Sequence, residues 1–468
     1  MKKSRLVLLF TTLGIVFLAA CGGGVTSTPP PPPQASRAPV TVTVGDAPPV
    51  GVTILSFQVT VTGAVLQPGS VSLLSAPVKF EMKQLETETA LLSSLDLPAG
   101  TYTSISVTFS NPEVTFMNNT PAPIMMGGTP CAVGAVCEFK NMPMGQSSVN
   151  YSGAPFPITV AANTPVGMLL DVDVLNSLAG NMGSMTPVMT MMNMAPKQGT
   201  GEFEDMEDVV GKVTAKDAAN NQFTLQVTSG VTSMTIKVDT TPNTGTQFDF
   251  SDLGQPNTFA SLAVGQVLEV DIKMMPDKTL LARKVKFEDD DVEEELEGVI
   301  VKLSGVTGFD MVLMHESIDV PGIAPGNVVT INLLSGWRTK VDDGGLPVSG
   351  LSFNGASDLM VGQVVEIERK STPTGTPPAI DTDKVKLKKS VFTAKVKAKL
   401  NATDFTVDNL PGIFGGISQI EVRTSTQTEF SNTTGVAPLA VGDKVSLRGL
   451  LFKTVGDPVL VAKKVRKR

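Results

Sequence analysis

The sequence predicts an all-β protein, an N-terminal β-sandwich followed by three small OB-like β-barrels. Three observations carry that expectation. Apolar residues fall at every second position in short runs, as in Val40, Val42 and Val44 against Thr41 and Thr43. The 468 residues include 43 Gly and 33 Pro, so turns are frequent and long helices are disfavoured. A pattern also returns three times, as "LAVGQVLEV", "LMVGQVVEI" and "LAVGDKVSL". Its spacing of roughly 80 to 95 residues suits whole small domains rather than solenoid units.

The chain opens with a different kind of segment. Lys2, Lys3 and Arg5 precede an almost wholly apolar run from Leu6 to Ala20, which reads as a signal peptide at 1–20. The run is short for a bilayer span. Ala19 and Ala20 are small enough for a signal peptidase, and Cys21 follows at once in "LAAC". That stretch resembles the lipobox of bacterial lipoproteins, and the resemblance implies lipidation of Cys21 after cleavage. An ordinary secretory signal with an incidental cysteine is the plainer alternative. Several acyl chains on one residue anchor stably, because each buried methylene contributes about 0.8 kcal/mol. Gly22 is not the aspartate that retains many lipoproteins at the inner membrane, so in a host with two membranes the outer one is expected, with the body periplasmic or surface-exposed. The Gly- and Pro-rich stretch 21–38 has no hydrophobic periodicity, and Pro29–Pro33 favour an extended tether.

Within 39–196 the alternation continues. Phe57, Val59 and Val61 share one face, as do Ile105, Val107 and Phe109, and then Leu170 and Val172. Lys83 to Leu95 offers spacing for one short helix. Three stretches here, Asp46-Ala47-Pro48, "LPAGTYTSI" and Leu170-Asp171-Val172-Asp173, resemble a bacterial lipoprotein module, domain of unknown function 4382. The resemblance implies a sandwich and assigns no activity.

The repeats follow at 209–288, 298–389 and 390–468, with the acidic segment 197–208 between sandwich and first repeat and 289–297 between first and second. Each opens with a hairpin and ends in an A-x-K-V type strand, "LLARKVKF", "IDTDKVKL" or "LVAKKVRK". The pattern L-x-V-G-x-x-V…A-x-K-V resembles domain of unknown function 5666, here present three times. About five short strands per unit suit a small closed barrel.

Few residues offer chemistry. His315 is the only histidine and stands in no H-E-x-x-H motif, and no G-x-S-x-G elbow occurs. Aromatics are 5%, with one Trp and two Tyr, too few for the stacking platforms of a sugar-processing cleft. No enzyme is therefore expected, although a carboxylate pair for a glycan hydrolase is the second alternative. Cys131 and Cys137, spaced as "CAVGAVC" in an exported chain, read as a local disulfide.

Metal handling is the first alternative function. Clustered carboxylates suit calcium, which puts Asp289, Asp290 and Asp291 forward at one acidic segment, and Asp46, Asp171 and Asp173 at one end of the sandwich. The bland reading of the acidic segments is a solvated linker. Thioethers suit Cu(I), which puts forward Met189, Met191 and Met194 in "VMTMMNM". The bland reading there is a core strand. The basic tail "AKKVRKR" reads as the outer face of a last strand, or else as a contact for anionic headgroups.

The sequence therefore points to a lipid-anchored cell-envelope protein with a binding or structural role. Its expected contacts are the membrane through Cys21 and a polysaccharide or envelope protein. No cofactor is required, with calcium the one candidate. A net charge of −8 argues against nucleic acid.

Overall fold

Val40, Val42 and Val44 lie on the strand Arg37–Ala47 and are fully buried, their Thr neighbours facing the other way. The computed structural model describes residues 36–47, 53–178, 182–197, 199–227, 233–250, 253–288, 295–316 and 320–468. Cys21, the signal peptide, the tether up to residue 35, and Asp289, Asp290 and Asp291 lie outside the described residues. Arg37 and Ala38, expected in the tether, instead open the first strand, because Ala38 is buried in the sandwich core.

The fold is nearly all strand, as expected. One sandwich sheet has the order Met189–Met194, Val166–Asp173, Arg37–Ala47, Ala90–Pro98. Its central pair is parallel, with Val40 opposite Val166 and Val44 opposite Leu170. The other sheet is built on the long antiparallel pair Thr53–Gln67 and Ser104–Met117. Between them pack Val42, Phe57, Val59, Phe109, Leu170 and Met191. Cys131 and Cys137 form a disulfide, with Cα atoms 6.0 Å apart.

The segment Lys83 to Leu95 differs from its helical expectation. A single 3₁₀ turn spans Met82–Glu86, and the rest joins the strand Ala90–Pro98 beside Arg37–Ala47. The strand wins because it sends apolar side chains both ways, Leu92 and Leu97 into the sandwich and Leu91 into the first barrel.

The three barrels share one connectivity. In the first, Glu204–Asp217 pairs with Gln222–Val227 and Val267–Met274, and Ser233–Val238 closes the ring on Leu280–Glu288. The second repeats this with Glu295–Leu303, Gly308–Glu316, Val328–Val341, Val364–Arg369 and the strand beginning at Ala379. The third does so with Asp404–Asp408, Ile420–Arg423, Lys444–Phe452 and Val459–Lys467. Two barrels share a strand. Ala379–Lys399 is continuous over 21 residues. Lys388 pairs with Val364 in the second barrel and Lys389 with Leu450 in the third.

Each ring is filled from inside by the repeat's apolar positions. Leu268 and Val270, Val365 and Ile367, and Val445 and Leu447 are equivalent and all but inaccessible. Opposite them, Gly211 and Gly298 sit where the opening strand meets its hairpin partner most closely. A Cβ at Gly211 would lie 2.4 Å from the Gln226 carbonyl oxygen, and at Gly298 2.5 Å from that of Val312. The obstacle is backbone, so it cannot rotate away. Gly298→Val is expected to lower stability by about 2 kcal/mol or more, read from urea unfolding; an unchanged midpoint would show that the strand relaxes freely.

Candidate functional site

Alternate positions on the barrel strands point outward, and in each barrel one row of three crosses the opening, fourth and closing strands. The rows are Val210, Glu269 and Lys286 in the first barrel, and Glu297, Glu366 and Lys386 in the second. Thr393, Ser446 and Arg466 form the third. On an isolated barrel these positions would face water. Here the barrels and the sandwich turn them toward one another.

The result is a buried network of charge. Lys388 Nζ lies 3.3 Å from Glu269, 3.2 Å from Glu366 and 3.4 Å from Asp342. Arg448 spans Glu88 of the sandwich, at 2.9 Å, and Asp208 of the first barrel. Asp208 also holds Lys389 at 2.9 Å, and Glu88 holds Lys464 at 3.2 Å. Beside them Arg283 and Lys463 share Glu207 and Glu429. Every cation in the network thus reaches across a module boundary or sits beside one that does.

The electrostatics follow from this wiring. Burial alone would raise the Asp208 carboxyl, but Lys389, Arg448 and Lys388 overcome it and hold it well below the usual range. The Glu366 carboxyl is opposed by burial in the same way and drawn down to about 2 by Lys388 and Lys386. Burial pushes Glu88 up to about 7 against the pull of Lys464 and Arg448. Glu297 is also pushed up to about 7, by burial and by Glu366 and Asp208, against Lys388 and Arg448. Among the described residues the Glu297 side chain forms no hydrogen bond or ion pair, although its backbone is paired in the strand Glu295–Leu303.

The modules leave a cavity of about 160 Å³ at the centre of this network. Each of them lines it: Glu88, Asp208 and Glu269, Glu297 and Glu366, and Lys388, Lys389 and Arg448. Glu81, Glu207 and Glu295 line it as well, and apolar side chains contribute through Leu85, Leu91, Met206, Val227, Met234 and Met314.

Two expectations are corrected by this arrangement. The acidic segment at 197–208 is not a solvated linker, because Glu204–Asp208 begins a barrel strand. Asp205, Glu207 and Asp208 are partners of Lys464, Lys463, Lys389 and Arg448. The basic tail is not merely an outer face. Lys463 and Lys464 are counter-ions to that acidic strand, and Arg468 donates to the Glu86 carbonyl.

The other residues singled out by sequence are placed elsewhere. Asp173 caps the short helix Val174–Ser177, accepting from the Asn176 backbone N–H at 3.0 Å. Asp171 is half-buried, and burial raises its carboxyl despite Arg468 and Arg466. Asp46 stands opposite Val172 in register. Met189 and Met191 fill the sandwich core, and Met194 accepts from Thr43 Oγ1 at 3.5 Å. His315 is opposite Glu297 in register. Among the described residues, the carboxylates that converge as metal ligands would are Asp205, Glu207 and Glu429. Their oxygens already face Lys197, Arg283 and Lys463.

Sequence reasoning missed Glu88, Glu269, Glu366, Lys388 and Arg448, and it took Glu297 as the end of an acidic linker, although residues 295–297 begin the strand Glu295–Leu303. A signal for part of this was present. Both "VGQVLEV" and "VGQVVEI" place a glutamate at the same outward position, and "KVKLKK" supplies an excess of lysine.

Residues 37–186 match a family described as a domain of unknown function (DUF4382). Residues 210–286 and 394–466 each match another domain of unknown function (DUF5666). No curated protein matches the chain.

Arg448→Ala would leave Glu88 and Asp208 facing each other's field without their shared cation. A loss of about 3–5 kcal/mol is expected for breaking such a buried pair, measured by urea unfolding at pH 7. A loss below 1 kcal/mol, the usual worth of a surface pair, would show that water reaches the network.

The pH dependence has a definite sign. For Glu297 the folded value, about 7, exceeds the 4.5 of an exposed glutamate. Below 4.5 both states carry the proton and nothing is lost. Between 4.5 and 7 the unfolded chain ionises first, so stability falls as pH rises, by at most about 3 kcal/mol. Glu366, drawn down instead, contributes stability above 4.5 that is lost as pH falls toward 2. Glu297→Gln is therefore expected to raise Tm at pH 8 and leave it unchanged at pH 4.5. A Tm lowered at pH 8 would mean that the ionised carboxylate is a stabilising partner.

Proposed function

We propose that this is a lipid-anchored protein of the bacterial cell envelope whose body, Ser36–Arg468, acts as a rigid, non-catalytic binding scaffold. The observation that carries the reading is the joining of sandwich and barrels into one compact unit. A shared 21-residue strand and a common charge network hold that unit together. Such a body presents its outer loops at fixed separations, which suits an extended partner such as a polysaccharide or a second envelope protein. The anchoring part of the reading rests on the signal pattern and on Cys21 within "LAAC". Among the described residues no helix is long and apolar enough to cross a membrane.

The same reading treats residues 295–389 as a further copy of the module matched on either side. Its ring has the same strand connectivity, and "VGQVVEI" falls at the place of "VGQVLEV".

Cys21→Ser is expected to abolish labelling by radioactive palmitate and to move the protein from the membrane pellet to the soluble fraction. Unchanged labelling and sedimentation in the variant would overturn the anchor.

A further inference from the structure

We propose that the central cavity binds a small primary ammonium, an organic monocation whose head pairs with Glu297 and whose hydrocarbon part lies on the apolar wall. The inference goes beyond the envelope reading and does not depend on it, because the cavity would be the same in any compartment.

Charge is the first support. Eight carboxylate residues line the cavity against three cations, Lys388, Lys389 and Arg448. Those cations are already engaged by Glu269, Glu366, Asp208 and Glu88. Glu297 is left without an ion pair among the described residues, directly across the strand pair from Glu366. Like charges in that position repel. A second group points the same way: Glu207 also lines the cavity, its side chain is 1% exposed, and its Oε2 is buried without a hydrogen-bond donor. Buried acceptors of this kind are normally satisfied. An ammonium brings one positive charge and three donors.

The shape of the wall selects the rest of the ligand. A hard divalent ion needs six to eight oxygens converging on one point. Neither Glu297 nor any other cavity-lining carboxylate except Glu207 belongs to the convergent group, and Glu207 is already held by Arg283 and Lys463. The lining instead supplies apolar surface through Leu85, Leu91, Met206, Val227, Met234 and Met314. Its volume of about 160 Å³ is close to that of an apolar cavity of about 150 Å³ that accepts benzene. A chain of about five carbons with one terminal ammonium fits both the charge and the space.

The test is a thermal-shift and calorimetric titration of the full chain at pH 7 with n-pentylammonium chloride, with n-pentanol and calcium chloride run alongside. The expected result is a Tm that rises with the logarithm of amine concentration, and at least a tenfold loss of affinity in Glu297→Gln. Binding should also release protons, because the ammonium joins Lys388 and Arg448 in favouring ionised Glu297 against its burial and the charges of Glu366 and Asp208. Release is measured by titrating in buffers of different ionisation enthalpy, in a chain carrying His315→Asn so that the single histidine does not contribute. This readout stands even if Glu297→Gln fails to fold. No shift at roughly 10 mM amine, weaker than millimolar binding, would overturn the proposal. So would an equal shift with pentanol, a shift with calcium alone, or binding without proton release.

Discussion

Lys388 meets carboxylates from two barrels while standing on a strand that runs on into a third, and the placement of the modules depends on contacts of this kind. Removing a charge from water costs several kcal/mol, and attraction inside the protein returns that only when geometry is good and partners are complete. The network is therefore weak evidence for stability by itself. Its stronger consequence is directional. Arg448 can satisfy Glu88 and Asp208 together only if sandwich, first barrel and third barrel hold one arrangement. Apolar contacts act in the same sense but with less selectivity, as where Leu91 of the sandwich enters the core of the first barrel.

The repeat explains how such a network arises. Three barrels with equal strand order present equivalent outward rows, and each row tolerates any residue content with water. Once the barrels pack, the rows become mutual walls and their contents must balance. Glu269 and Glu366 find Lys388 between them. Thr393 and Ser446, in the third barrel, carry no charge and bond each other at 2.8 Å. Glu297 is the position at which balance is incomplete, and it borders the cavity. The void and the unpaired acid thus have a common origin in three similar surfaces meeting around a centre.

The shared strand adds a constraint of another kind. A flexible linker would let the second and third barrels rotate, whereas Ala379–Lys399 carries ladder hydrogen bonds into both rings. The back of the sandwich is tied to the second barrel as well. Glu138 accepts from the Val328 backbone N–H at 2.7 Å and from Asn327 Nδ2 at 2.9 Å. Polar bonds of fixed geometry at several separate seams leave few alternative packings.

By itself the sequence determined the all-β class, the sandwich, the repeated barrel pattern and the Cys131–Cys137 pairing. These are properties of local spacing: a period of two, turn residues at intervals, and two cysteines six residues apart. The same spacing could not tell Glu297 or Lys388 from solvent-facing residues, because an outward polar position on a strand looks identical whether water or another barrel covers it. For that reason the acidic strand Glu204–Asp208 and the basic tail at Lys463 and Lys464 read as two unrelated charge runs, although they neutralise each other. Only the tertiary structure brought them together, since the partners lie more than 250 residues apart in the chain, and only packing decides which outer faces are buried.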